Sequence, residues 1–418
     1  MMKNNEKIHI LVVSQYFYPE QFRINDICTE WVKRGYKVTV LTGIPNYPQG
    51  KFYDGYGVFK KRSEVWNGIE IIRIPLIPRG HNSLGLCMNY LSFVVSGFFW
   101  KCFTKIKADI VFNYETSPMT QALVGAWFAK RRKVPFYLYV TDLWPDNVEI
   151  ITGIHNKLLM SSLNSMVNYI YKKCTKIFTS SKSFITKMTE RGVPSQKLEF
   201  WPQYAEEFYR PRSKSEAAEI KKEIPDDGVF NIVFAGNIGY AQGLGVLAET
   251  AAILKKEKFP VRFNIIGDGR YKNKMLEEIS KNNVEEYFNF IEKQPAEKIP
   301  LYMAFADAAL ICLSKSEVFA MTIPAKTQSC MACGVPILVS ADGEVGEIIE
   351  EAKCGYSSAS SDAEGLAENI KKICELSEKE ITDMRKNSRL FYDNNFKKSM
   401  LMDKMDAYLT EEFENVNV

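Results

Sequence analysis

Short runs rich in β-branched residues recur along this 418-residue chain, and most gaps between them hold longer stretches with apolar positions at helical spacing. Strands separated by helices pair in parallel, because a parallel neighbour needs a long crossover connection and a helix supplies it. In the first half the runs are 8–14, 37–42, 69–74, 109–114, 136–141, 176–181 and 198–202. The second half repeats them at 231–237, 261–267, 288–292, 308–314, 336–341 and 355–359. Together they predict an α/β chain with two doubly wound, Rossmann-like sheets. Pro and charged residues displace the apolar periodicity over 211–230, so the domains are expected as 1–206 and 207–395. The stretch 396–418 follows the last strand and carries apolar positions at helical spacing, so it needs a surface to pack on.

Charge is unevenly distributed. Residues 1–205 hold 27 Lys and Arg against 14 Asp and Glu, and the remainder holds 27 against 36. A basic first half suits an anionic partner, either nucleic acid or a membrane surface; no nucleic-acid-binding motif is present, so no nucleic acid is expected. The nine Cys are odd in number and scattered, which reads as reduced thiols in a cytoplasmic protein. The apolar run near the N-terminus lacks a small-residue cleavage pattern, so a secretory leader is not expected. Three His at 9, 81 and 155 are too dispersed to suggest a histidine metal site. Asn82 to Trp100 is 19 residues without a formal charge, with Arg79 and His81 before it and Lys101, Lys105 and Lys107 after it. Two readings stay open for it: an interfacial helix on an anionic membrane, with Phe98, Phe99 and Trp100 at the headgroup boundary, or a crossover helix buried in the core.

In doubly wound sheets ligands bind beyond the carboxyl ends of the strands. After 231–235 comes Gly236-Asn237-Ile238-Gly239-Tyr240-Ala241-Gln242-Gly243, a glycine-rich turn whose N–H groups can approach a phosphate. Its spacing is neither the dinucleotide fingerprint nor a Walker loop. Gly267 closes the next strand with a similar turn. Thr322-Ile323-Pro324-Ala325-Lys326 opens a helix with Pro in the first turn and a Lys where the helix dipole disfavours it, which makes sense if an anion lies between. In the first half, Asp142 follows the strand 136–141 beside Trp144 and could orient or deprotonate a hydroxyl. Asp146 reads as either a carboxylate of the same site or a helix cap. Glu115, after 109–114, is a further candidate for that crevice.

The run 16–56, the TDLWPD run at 141–146 and the GNIGYAQGL run at 236–244 resemble retaining GT-B glycosyltransferases of family 4, in the bacterial fucosamine-transferase-like branch of capsule and O-antigen assembly. The resemblance implies an N-terminal acceptor domain, a C-terminal nucleotide-sugar domain, a cleft between them and a last helix crossing back to the first domain. It implies transfer of N-acetyl-L-fucosamine or a related N-acetylated sugar from a UDP-sugar to a polyprenyl-diphosphate-linked glycan, with no metal and no cofactor, at the inner face of the cell membrane. The chain has no Asp-x-Asp motif. The family's phosphate-clamping Arg and Lys align with Asn237 and Gln242, and its two glutamates align with Met321 and Ser329. Lys326 matches the Pro-Ser-Lys pattern of the resembling branch and is therefore the expected diphosphate cation. On the donor side the resemblance adds Glu344 and Glu347 as ribose candidates; on the acceptor side it adds Tyr18, Arg23 and Asn25. A nucleotide-sugar epimerase, or an inactive nucleotide-sugar-binding partner, would fit the same two-domain pattern.

Overall fold

The strands form where the β-branched runs place them. The computed structural model describes residues 7–80, 82–148 and 156–417. One sheet contains β1 (His9–Val13), β2 (Lys37–Gly43), β3 (Ser63–Trp66), β4 (Ile69–Ile74), β5 (Ile110–Glu115), β6 (Phe136–Val140), β7 (Lys176–Thr179) and β8 (Leu198–Phe200). Their order is β3-β4-β2-β1-β5-β6-β7-β8. The other sheet contains β9 (Phe230–Ala235), β10 (Val261–Ile266), β11 (Phe288–Ile291), β12 (Ala308–Cys312), β13 (Ile337–Ser340) and β14 (Gly355–Ser358), in the order β11-β10-β9-β12-β13-β14. Each expected run corresponds to a strand of these two sheets, and both are doubly wound α/β sheets.

One strand escaped the sequence pattern. β3 pairs antiparallel with β4 at the edge of the first sheet, in register Trp66 to Ile69. Its four residues alternate between exposed and half-buried, so it lacks the continuous apolar run of a parallel core strand. Asn67 and Gly68 between the two strands both take positive φ, 49° and 79°, as a two-residue hairpin turn requires. That Asn-Gly pair was the local signal for β3.

Two units organise the chain. The first holds residues up to 180, 184–201 and 402 onward; the second holds 181–183 and 202–401. In the first, Ile10, Leu11, Val12 and Val13 of β1 are fully buried, as expected of a central parallel strand covered on both faces. The last helix, Lys398–Asn417, contributes Met402, Met405 and Leu409 to the first unit, all fully buried and at helical spacing. Arg34 clasps Asp403 and Asp406 at 2.6 and 2.7 Å, and the Tyr137 hydroxyl donates to the Tyr408 carbonyl at 2.9 Å. The terminal stretch thus finds the surface that its periodicity demands.

Three helices shape the first unit's binding edge: α1 (Arg23–Lys33), α2 (Ser83–Phe103) and α3 (Ala122–Arg132). α2 is not a buried crossover helix. Leu84, Leu91, Val95, Phe99 and Phe103 are exposed, whereas Asn89, Phe93 and Gly97 are buried. Trp100 departs from the expected headgroup cluster: its ring stacks on Phe128 of α3 at 5.5 Å, while Phe98 lies edge-on to Trp127 at 5.6 Å. His81 lies outside the described residues. A Cβ on Gly97 would sit 2.4 Å from a Val124 methyl, so glycine is what lets α2 approach α3. Gly97→Ala should therefore lower stability by about 1–3 kcal/mol through overpacking, and adding Val124→Ala should recover part of the loss in a thermal melt.

Candidate active site

In the second unit the order of strands reverses at β9, which lies between β10 and β12. The glycine turn leaves β9 at that point. Gly267, with φ 147°, sits so close under it that a Cβ would meet the Gly236 carbonyl oxygen at 2.0 Å. Gly243, at φ 60°, folds over the end of β12, where a Cβ would come 2.9 Å from the Ser314 nitrogen. Ser314 N–H in turn donates to the Ala241 carbonyl at 3.0 Å. Gly236 and Asn237 remain exposed, while Gly239, Gln242 and Gly243 are half-buried.

Lys326, in the first turn of the helix Ala325–Ala332, reaches this turn. Its Nζ donates to Gln242 Oε1 and lies 3.9 Å from the centroid of the Phe234 ring. Gly236 takes φ 150°, which favours glycine, and a Cβ there would lie in ordinary contact with Nζ at 3.5 Å. Burial pushes the ammonium down to about 8, with only weak relief from the Cys312 and Cys330 thiols. The residue is half-buried overall, but its charged end has been stripped of most water. Phe234, from inside a strand, was invisible as a site residue because its type and position suited a core.

Four expected donor residues are placed differently. Thr322 donates its N–H to the Phe319 carbonyl at 3.0 Å and its hydroxyl to Val318 at 2.8 Å, so these donors are already committed within the chain. Ile323 is buried beside the half-buried Pro324, and both shape the helix start without offering a polar group. Glu344 is buried, and its two oxygens accept the Lys182 and Ser183 N–H groups at 2.7 Å each; it caps a chain segment instead of facing a ligand. Glu347, one turn on, is exposed.

In the first unit the reversal occurs at β1, between β2 and β5. Asp142, following β6, is half-buried, and its Oδ2 accepts the Ser117 N–H at 2.8 Å. Trp144 Nε1 donates to the Ser117 hydroxyl at 3.0 Å, which fixes the aromatic wall next to the carboxylate. Asp146 pairs with Arg191, which also donates to the Trp144 carbonyl at 2.9 Å, and the helix that it was expected to cap runs on beyond the described residues. Glu115 is fully buried, so it cannot touch an acceptor directly. Desolvation, then the Asp142 charge, hold its carboxyl well above the ordinary range. Of the two carboxyl groups, Asp142 is the accessible one.

The run after β1 is a folded loop cluster. Tyr18 stacks on Trp66 at 4.4 Å, and Asn25 donates to the Glu20 carbonyl at 2.7 Å, so both serve the loop itself. Arg23 opens α1 and its charge acts on the buried Tyr114 and Tyr139 hydroxyls. Glu20 is buried; one oxygen accepts Asn46 N–H at 2.7 Å and Tyr47 N–H at 2.6 Å, tying the loop after β2 to the loop after β1, a role with no local sequence signal.

Comparison with known proteins agrees with both halves. Residues 21–203 match the glycosyl transferase 4-like domain, and residues 215–391 match the glycosyl transferases group 1 domain. A protein of Escherichia coli strain K12 named as a colanic acid biosynthesis glycosyl transferase, WcaI, is 25% identical over 362 residues, covering 82% of this chain and 86% of its own length. Among solved structures, sucrose-phosphate synthase from Thermosynechococcus elongatus superposes with a TM-score of 0.77 at 14% identity, covering 98% of this chain and 100% of that one. Anabaena HepE, solved with UDP and glucose, superposes with a TM-score of 0.68 at 14% identity, covering 96% and 99%.

Burial raises the Glu20 carboxyl to about 7, although the Tyr47 and Asn46 amides pull it down. Its folded value lies above the ordinary 4.5, so the unfolded chain gives up this proton first and the contribution to stability, complete below pH 4.5, is lost as pH rises through about 7. Glu20→Gln keeps an acceptor oxygen without the charge. Its thermal stability relative to the parent should therefore improve by on the order of 2 kcal/mol between pH 5 and pH 8.5; a pH-independent difference would show that Glu20 ionises without cost.

Proposed function

Because the chain is a GT-B glycosyltransferase, with a glycosyl transferase 4-like domain ahead of a group 1 domain, we propose that it moves a sugar from a UDP-sugar to a polyprenyl-diphosphate-linked glycan in bacterial surface polysaccharide synthesis. Transfer retains the anomeric configuration and needs no metal. The observation that carries this reading is the placement of Lys326. The cation that the wider family has at position 242 is absent, and the Lys326 ammonium reaches the Gln242 side chain from the neighbouring helix start. A desolvated cation next to the helix N-terminus and the glycine turn suits a diphosphate leaving group, whose charge grows as the bond to the anomeric carbon breaks.

Gly236, Asn237, Gly239 and Gly243 supply close backbone approach for the phosphates, and exposed Glu347 is available to ribose hydroxyls. UDP as donor draws support from HepE, which was solved with UDP and glucose. The polysaccharide role draws support from the name of WcaI, and an N-acetylated sugar such as N-acetyl-L-fucosamine from the resemblance of the 16–56, 141–146 and 236–244 runs. In the acceptor half, Asp142 orients the attacking hydroxyl and takes up its proton through Oδ1, its other oxygen being held by Ser117. The enzyme works as a peripheral protein on the cytoplasmic face of the membrane, where the basic first half and residues 82–107 meet anionic lipid.

UDP at about 100 times its dissociation constant should stabilise the protein by about 2.7 kcal/mol, more than GDP, ADP or NAD at matched concentration. Lys326→Ala should abolish the shift; absence of any nucleotide shift in the parent would overturn the donor assignment. Because the protonated amine is the binding form, the UDP shift should shrink as pH rises above about 8, towards the higher value that a bound diphosphate imposes on Lys326. Asp142→Asn should cut transfer by ~100-fold or more while leaving the UDP shift intact; full transfer activity in that variant would remove Asp142 from the mechanism.

A further inference from the structure

α2 has two unlike faces. Leu84, Met88, Leu91, Val95 and Phe98 recur at alternating spacings of four and three, so they form one exposed apolar stripe with Phe99 beside it. No Asp or Glu occurs between Glu70 and Asp109, whereas Lys101, Lys105 and Lys107 follow the stripe, and Arg132 is held against its end by the Thr104 carbonyl at 2.7 Å. A second copy of this chain would bring like charges together on such a face, while an anionic leaflet complements them. α2 is long and apolar enough to cross a bilayer, yet β4 before it and β5 after it lie in one sheet, so it lies along the surface.

The opposite face is buried through Asn89, Phe93 and Gly97, four residues apart. Asn89 is the polar member, and its amide is fully engaged. Its Oδ1 accepts from Gln15 Nε2 at 2.7 Å, and its Nδ2 donates to the Ile77 carbonyl at 2.6 Å and to Asn46 Oδ1 at 3.4 Å. Gln15 follows β1, Asn46 follows β2 and Ile77 follows β4, so one side chain binds three loops at the carboxyl edge of the sheet. Asn46 carries the link to Glu20 and to the Arg79 N–H, at 2.7 and 3.0 Å. We propose that Asn89 is a positioning residue that couples the seating of α2 on an anionic membrane to the order of the acceptor-side loops. Resting on the membrane reading above, this adds a physical link: buried hydrogen bonds are costly to leave unmade, so the loops follow the helix.

The test is hydrogen exchange on the full-length protein, with and without vesicles of phosphatidylglycerol and phosphatidylcholine, alongside cosedimentation. In the parent, vesicles should slow exchange at residues 15–20 and 44–48 by roughly tenfold. Asn89→Ala should still cosediment and should lose that slowing. If Asn89→Ala does not fold, Ser92→Ala weakens the same link, since the Ser92 hydroxyl accepts the Ile77 N–H at 2.9 Å, and should show a reduced effect. Unchanged loop protection in the folded variant overturns the proposal, as does a parent that cosediments without loop protection. A parent that does not bind vesicles at all, scored by cosedimentation alone, overturns the membrane reading and this inference with it.

Discussion

Every parallel strand delivers the chain to the same edge of its sheet, and that constraint decides where chemistry can sit in this protein. Helices on either side of a central strand leave towards opposite faces, so a crevice opens where the strand order reverses. β1 is that strand in the first sheet and β9 in the second. Gln15 and the loop cluster around Glu20 follow β1; the glycine turn follows β9. The candidate residues are far apart along the chain because each comes from the end of a different strand.

Electrostatics separates the two halves. The second unit presents one desolvated ammonium, Lys326, on the flank of a glycine turn, a combination suited to phosphate oxygens. The first presents a half-buried carboxylate, Asp142, next to a fully enclosed carboxyl, Glu115. Burial first, and then the Asp142 charge, hold the Glu115 carboxyl well above the ordinary range. Asp142 is the more accessible carboxyl of the pair.

The shape of α2 follows from a similar division. Gly97 and Phe93 allow one face to pack, Asn89 ties that face to the loops, and the other face is apolar and exposed among the described residues. Such a helix would be a liability for a protein surrounded only by water. Cations follow it, and no Asp or Glu occurs in the sequence between Glu70 and Asp109.

Periodicity and chain punctuation were sufficient to place the parallel strands, the glycine turn, the Lys326 helix start and the packing need of the last helix, because these depend on local residue order. The edge strand β3 was legible only in its Asn-Gly turn, since an edge strand needs no apolar run. The fates of the polar side chains were not legible. Thr322 is spent on its own turn, Glu344 on the Lys182 and Ser183 amides, Asp146 on Arg191 and Trp100 on Phe128. Sequence by itself determined the architecture and the residue types at its binding edges; tertiary structure decided which of those residues remain accessible, because a polar group brought near a distant partner binds it in place of a ligand, and burial depends on neighbours that local order does not name.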